Sequence, residues 1–370
     1  TAILARGLGI PAVVAVGAVL HRLADDDLVL VDGGEGTVYQ DPDEEEVRQA
    51  ERAAAQVRTF DGAGRTADGH EVQLLANVGD ADGARAAAEA GAQGVGLFRT
   101  EFCFLDRAEE PTVAEQVAAY RPVLAAFPGR KVVVRTLDAG ADKPLPFLTD
   151  VREANPALGV RGLRTARRDP AVLDHQLAAI AEAARSEEAE VWVMAPMVAT
   201  VSETEDFVEA CHRHGLGTAG VMVEVPAAAL MSGPILARAA FASVGTNDLA
   251  QYAMAADRML GSLAELTDPW QPSVLRLVEA TGRGGAQQDR PVGVCGEAAA
   301  DPALAVVLAG LGVSSLSMTP RALGDVAAVL RSVTLAEAQA LAGLALSAES
   351  AQDARAQVRA GLPVLQELAL

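Results

Sequence analysis

Positive charge is scarce in this chain. Thirty Lys and Arg stand against 50 Asp and Glu, a formal net charge of −20. A nucleic-acid binder needs a basic face for the phosphate backbone, so this balance argues against nucleic acid as a partner. An anionic substrate would need a local cluster of arginines to overcome the global field. Cysteine is also rare. Cys103, Cys211 and Cys295 are too few and too scattered for a disulfide framework, which leads us to expect a cytoplasmic protein. There is no signal-peptide pattern at Thr1 and no apolar run long and uncharged enough to span a bilayer. No Gly-rich P-loop or dinucleotide fingerprint is present. The histidines His21, His70, His175, His212 and His214 fall in loops or on helix faces. His212 and His214 could chelate a metal in principle, but they sit near a helix C-terminus, where cations are favoured anyway. The sequence opens Thr1-Ala-Ile-Leu without a Met, as a helix end running into a strand. The expectation is a fragment, or part of a longer protein.

Half of the 370 residues are hydrophobic, enough for a large core and long for one ordinary domain. Residues 1–40 read as β-rich, with strands expected at 12–16, 28–31 and 36–39. The acidic run Asp41-Pro-Asp-Glu-Glu-Glu46 starts a polar helix to about residue 58, its carboxylates in the first turn, where the helix dipole favours them. Residues 41–70 are thus expected to be a connector. From residue 71 onward short β-type runs alternate with Ala-rich helical stretches. Strands are expected at 72–77, 94–98, 131–135, 191–196, 220–224, 241–245, 291–295 and 314–317. Helices are expected at 81–90, 112–126, 170–184, 203–213, 226–231, 272–281, 302–309 and 322–333. This alternation predicts a (β/α)8 barrel over 71–370, with a doubly wound open sheet as the alternative.

The chemistry-bearing residues fall in one register. Arg99, Arg135, Glu224, Asn247, Asp248 and Cys295 lie at or just past the C-terminal ends of their strands, which in a barrel ring one mouth. The stretch Ser243-Val-Gly-Thr-Asn-Asp248, with Arg258 one loop later, combines an amide, a carboxylate and a guanidinium. Asn247 can donate and accept, Asp248 can hold a hard cation, and Arg258 can grip a phosphate or carboxylate bidentately. With Arg161 in Gly159-Val-Arg-Gly-Leu-Arg164, the arginines can neutralise a phosphate and a neighbouring carboxylate; Arg164 reads as structural. Glu224 and Asp248 suit Mg2+, and they could equally be ion-paired to two of the arginines. Lys143 could add a positive charge or neutralise Asp138. Cys295 is either a small core residue or, beside arginines and a metal, a working acid–base group. Glu297 could tune it or hydrogen-bond substrate. Cys103 and Cys211 lack that context and read as structural.

Val95-Gly-Leu-Phe-Arg-Thr-Glu-Phe102, Val134-Arg-Thr-Leu-Asp138, Asn155-Pro-Ala-Leu-Gly-Val-Arg161, Val221-Met-Val-Glu-Val-Pro-Ala227, Ser243 through Arg258, and Gly293-Val-Cys-Gly-Glu297 resemble, in order, enzyme I of the bacterial sugar phosphotransferase system. Pyruvate phosphate dikinases and phosphoenolpyruvate synthases share the barrel, but the first two segments favour enzyme I. The resemblance implies a phosphoenolpyruvate-dependent protein phosphotransferase. Arg99, Arg135 and Arg258 would grip phosphate with Asn247, and Arg161 would assist. Glu224 and Asp248 would hold Mg2+, and Cys295 would protonate the enolate carbon to give pyruvate. Phosphoryl would pass to a histidine on a swivelling domain and then to a histidine-containing phosphocarrier protein. That histidine would directly precede Thr1, so residues 1–40 are expected to be part of the swivelling domain, and this stretch to bind phosphoenolpyruvate without its own phosphoacceptor. A homodimer through the barrel is also implied. Ala141, where the family tends to have glycine, and Val225, where it has threonine, depart from the pattern. A sensing or dimerisation module and a Mg2+-dependent lyase are the competing readings.

Overall fold

The computed structural model describes residues 10–13, 16, 20, 22–33, 37–55, 58–105, 107–140, 145–150 and 152–370. The expectations for Lys143 and Ala141, and parts of the expected strands at 12–16 and 36–39, lie outside them. Two short strands, β1 (Val29–Asp32) and β2 (Thr37–Gln40), pair antiparallel. The acidic helix follows at Glu44–Ala55, with Glu44, Glu45 and Glu46 in its first turn.

Eight parallel strands then close on themselves: β3 (Gln73–Val78), β4 (Val95–Arg99), β5 (Lys131–Arg135), β6 (Glu190–Ala195), β7 (Ala219–Val223), β8 (Ala242–Gly245), β9 (Val292–Cys295) and β10 (Ser315–Met318). They pair in chain order, and β10 returns to β3. This is a (β/α)8 barrel, and the closed ring rules out the open sheet. A closed parallel sheet is covered on both faces, so its strands are apolar along their length rather than alternating. All of β7, β8 and β9 is buried.

Strand periodicity still sorts the side chains. On β5, Val132 and Val134 join the large core between strands and helices, whereas Val133 joins an inner cluster with Leu97, Met194, Met222, Phe241 and Cys295. The barrel base is closed by Trp192, tilted against Phe241 at 4.8 Å between ring centres, with the Lys131 ammonium 4.8 Å from the Trp192 ring. Register aligns Arg99 with Arg135, Gly245 with Cys295, and Cys295 with Ser317. Polar side chains thus reach the C-terminal mouth together.

Helix starts follow local rules. Thr112, Thr200 and Thr334 each form a capping box with the glutamate three residues on. The expected helix at 226–231 is two short helices, Pro226–Leu230 and Ser232–Leu236. The one expected at 272–281 runs to Gln288. Its glycines look like breakers but permit close approach: a Cβ on Gly282 would lie 2.3 Å from the Leu311 carbonyl oxygen. The chain ends in helices Leu335–Ser347, Ala351–Ala360 and Val364–Glu367, which the sequence reading did not anticipate. Arg58, ahead of the barrel, pairs with Asp325 at 2.7 Å and donates to the Leu368 carbonyl at this end. Among the described residues, no single helix is long and apolar enough to cross a membrane.

Asp301 holds two structures at once. Its Oδ1 accepts from the backbone of Ala303 and Leu304, and its Oδ2 from the indole N–H of fully buried Trp270 at 2.9 Å. Asp301→Ala removes a helix cap and leaves a buried donor unpaired. A loss of about 2–4 kcal/mol in urea unfolding is expected, and about 1 kcal/mol or less for Asp301→Asn. Equal losses in the two variants would mean that the charge, not the acceptor geometry, matters.

Candidate functional site at the barrel mouth

Arg135 is the last residue of β5 and points inward with Lys131 and Val133 by strand alternation. It is 5% exposed. Its Nη2 donates to Glu101, its Nη1 lies 3.2 Å from Asp138 Oδ2, and the same nitrogen reaches Met222 Sδ at 3.6 Å. Burial opposes the Arg135 charge, but Glu101, Asp138 and Glu224 outweigh it and raise the pKa. Arg161 enters from the loop after β5. Its Nη2 donates to both Asp138 oxygens, at 3.0 and 3.2 Å, and its Nη1 donates to Asp248 at 3.0 Å and to the Tyr252 hydroxyl at 3.3 Å. Burial again opposes the charge, and Asp138 and Asp248 reverse the balance.

Asp248 sits in the first turn of the helix Thr246–Met254, directly after β8. Its second oxygen accepts from Arg258 Nη1 at 3.2 Å. Arg258 is also fixed through its backbone N–H, which donates to Gln251. So Asp248 is ion-paired to two arginines, one of the two readings open from sequence. Arg99, beside Arg135 in register, forms no hydrogen bond or ion pair with a described residue. Burial, then the neighbouring Arg135 charge, holds its pKa below the ordinary value. A desolvated cation without a counterion is costly, so Arg99 is suited to receiving an anion. Arg135 and Arg161 each also keep a buried Nε–H without a partner.

Glu224 follows β7 and is 1% exposed. It accepts one hydrogen bond, from the Met197 backbone at 2.6 Å, and forms no ion pair among the described residues. Met197 itself holds a left-handed backbone, at φ 60°, a strained conformation for a non-glycine residue. Burial first, then Asp248 and Asp138, push the Glu224 carboxyl up to about 8, against the pull of Arg135 and Arg161. Two hard-oxygen carboxylates, one short of a cation, fit a divalent ion such as Mg2+ that completes its shell from substrate and water. Among the described residues no cluster of three or more His, Cys, Asp or Glu is arranged to hold a metal.

Cys295 ends β9, buried, with its Sγ donating to the Val244 carbonyl at 3.6 Å. Burial raises its pKa, against Ser243, Arg135 and Arg99, so the thiol stays protonated at neutral pH. Asn247 is half-buried beside the Cys295–Gly296 turn; a Cβ on Gly296 would come within 3.3 Å of its Oδ1. Glu297 begins a short helical turn, Glu297–Ala300, and its charge acts on Arg99. Cys103 and Cys211 are free thiols; the Cys211 thiol is pushed up to about 12 by burial. His175 and His214 pair with Glu110 and Asp174, residues of no site element. Sequence reading missed the structural weight of Glu101, Asp138 and Tyr252. The Arg135–Asp138 spacing was a usable signal, whereas the Tyr252 contact with Arg161 had none.

The Glu224 shift fixes a sign. Its folded pKa, about 8, lies above the ordinary 4.5, so ionising it costs the folded state more than the unfolded one. Its contribution to stability is lost as pH rises from about 4.5 through about 8. Melting temperatures of the native chain and Glu224→Gln should therefore diverge between pH 5 and pH 8.5, with the native chain losing more. A difference constant with pH would show that Glu224 is not shifted.

Residues 53–335 match the PEP-utilising enzyme, PEP-binding domain, and residues 1–36 match the PEP-utilising enzyme, mobile domain. A phosphoenolpyruvate-protein phosphotransferase of Streptomyces coelicolor is 50% identical over 98% of this chain and 66% of its own length. One of Haloferax volcanii is 42% identical over 94% of this chain and 64% of its own length. A multiphosphoryl transfer protein of Xanthomonas campestris is 42% identical over 96% of this chain and 44% of its own length. The chain thus spans two thirds or less of the length of these relatives. A solved HpcH/HpaI aldolase/citrate lyase family protein from Burkholderia cenocepacia is 18% identical, with a TM-score of 0.43 over 69% of this chain and 91% of that one; a likeness at that level carries no argument here. With most of its length inside the matched PEP-binding domain, this chain belongs to the PEP-utilising enzyme family.

Proposed function

We propose that the barrel mouth binds phosphoenolpyruvate with Mg2+ and serves a phosphoenolpyruvate-dependent protein phosphotransferase. The observation that carries this reading is the convergence of four arginines, Arg99, Arg135, Arg161 and Arg258, on one mouth with Glu224 and Asp248. Phosphoenolpyruvate places a phosphate and a carboxylate close together, and this number of guanidinium groups matches both. A lyase reading gives the arginines no work.

In this reading Arg99 and the unpartnered Nε–H groups of Arg135 and Arg161 take anionic oxygens, and Arg258 and Asn247 close on the phosphate. Glu224 and Asp248 are the groups that would hold Mg2+, which when bound neutralises developing charge on the phosphoryl oxygens. Phosphoryl leaves the enol oxygen for a histidine, and the electron pair of the broken P–O bond stays on the enolate. Cys295, kept protonated by its burial, gives its proton to the enolate carbon, yielding pyruvate and a thiolate that regains a proton from water. The accepting histidine, a histidine-containing phosphocarrier protein beyond it and a cytoplasmic setting belong to the same proposal. So does the division into a swivelling-domain portion at 1–40, a connector at 41–70 and the barrel at 71–370. A homodimer through the barrel is supported by Leu230, Met231, Met259 and Leu260, apolar and exposed on the connections that follow β7 and β8.

Calorimetry with phosphoenolpyruvate should give saturable binding to this chain that strengthens with Mg2+. No heat in either buffer would remove the substrate assignment. Cys295→Ala should leave that binding within about threefold, while slowing proton exchange at the methyl group of pyruvate at least tenfold, in the range a lost general acid–base group costs. Loss of binding instead would make Cys295 a packing residue.

A further inference from the structure

We infer that Asp138 is the positioning residue for the arginine pair, holding Arg135 and Arg161 in one geometry whether or not Asp248 is engaged elsewhere. The inference rests on the reading above and extends it to a residue to which that reading gives no part.

Asp138 is 4% exposed and stands between two guanidinium groups that are themselves 5% and 2% exposed. Its Oδ2 lies 3.2 Å from Arg135 and 3.0 Å from Arg161, and its Oδ1 lies 3.2 Å from Arg161. Its backbone is fixed as well: the Asp138 N–H donates to Glu101 Oε1, the oxygen that also accepts from Arg135. Behind them Thr100 Oγ1 donates to the Arg135 carbonyl, and Gln176 bridges Thr100, Tyr120 and the Leu137 N–H. None of these groups is free to move alone.

The loop geometry points the same way. Ala139 accepts from the Gly162 N–H at 3.1 Å, so the segment after Asp138 clasps the one carrying Arg161. Both glycines of the clasp have positive φ. A Cβ on Gly140 would fall 2.8 Å from Arg161 Cβ, and one on Gly162 would fall 3.3 Å from Asp138 Oδ1. The chain has only enough room there for Arg161 to meet Asp138.

Asp248 and Asp138 therefore have different parts. A cation on Asp248 competes with Arg161 and Arg258 for the same two oxygens. Asp138 pairs with both Arg135 and Arg161 and keeps Arg161 aimed after that exchange. Without it, each arginine would have to be ordered by the incoming anion, which weakens binding.

The test is a double-mutant cycle read by calorimetry with phosphoenolpyruvate and Mg2+. Asp138→Asn should weaken binding at least tenfold in the native background and by a clearly smaller factor in an Arg161→Met background, where only its contact with Arg135 is left. An equal loss in both backgrounds would mean that Asp138 only supports the fold, and an unchanged affinity in the native background would remove its role. Absence of binding to the native chain would sink the substrate reading itself, and this assignment with it. Should Asp138→Asn not fold, guanidinium NMR of the native chain decides. Slowly rotating Nη–H signals of Arg135 and Arg161 should persist when phosphoenolpyruvate and Mg2+ are added. Their collapse to averaged signals would show that Asp138 releases the pair.

Discussion

Closure of eight parallel strands into a ring is the constraint on which everything else in this chain depends. Once β10 pairs with β3, there is no edge, and every second side chain points into the lumen. The lumen is narrow, and its middle is filled by Leu97, Val133, Met194, Met222 and Phe241. Charged side chains stand inward at the two ends. Towards the base this gives Lys131, over Trp192 and donating to Gln73, with Ser243, Ser315 and Ser317 nearby; at the other end it gives the arginine and carboxylate lattice.

That lattice is dense because it is self-neutralising. Arg135 and Arg161 could not be buried without Glu101 and Asp138, and those carboxylates could not be buried without the arginines. Two groups stand outside this balance. Arg99 has no ion-pair partner among the described residues, and Glu224 has only the Met197 N–H. One is a desolvated cation, the other a desolvated carboxyl pushed up to about 8. In the proposed reading, the unpaired cation takes an anion, and a metal ion would draw the proton from the Glu224 carboxyl and hold it ionised.

Much of this was legible in the sequence, for local reasons. The strands of the barrel announce themselves as apolar runs bounded by glycine and proline, and the Thr-x-x-Glu starts of three helices are capping boxes that need no tertiary context. The placement of Arg135, Glu224 and Cys295 at strand ends followed from where the apolar runs end. What was misjudged involved packing. The Gly282–Gly285 stretch looked like a helix end because glycine is a poor helix former; in the fold, the missing side chains let the helix lie against the Leu311 carbonyl and Ser232. The last three helices were not anticipated, although the first of them starts with the Thr334–Glu337 capping box.

The sequence by itself determined the class of fold, the mouth and the cast of ionisable residues, because strand period and residue chemistry are local properties. Only the tertiary structure decided which charge faces which. Asp248 could hold a metal or two arginines on sequence grounds, and the structure shows both of its oxygens on Arg161 and Arg258. Asp138 carried no assigned place at the mouth on sequence grounds, and the structure shows it shared by Arg135 and Arg161. Partners separated by up to 87 residues meet only after the ring closes, and no local rule encodes that meeting.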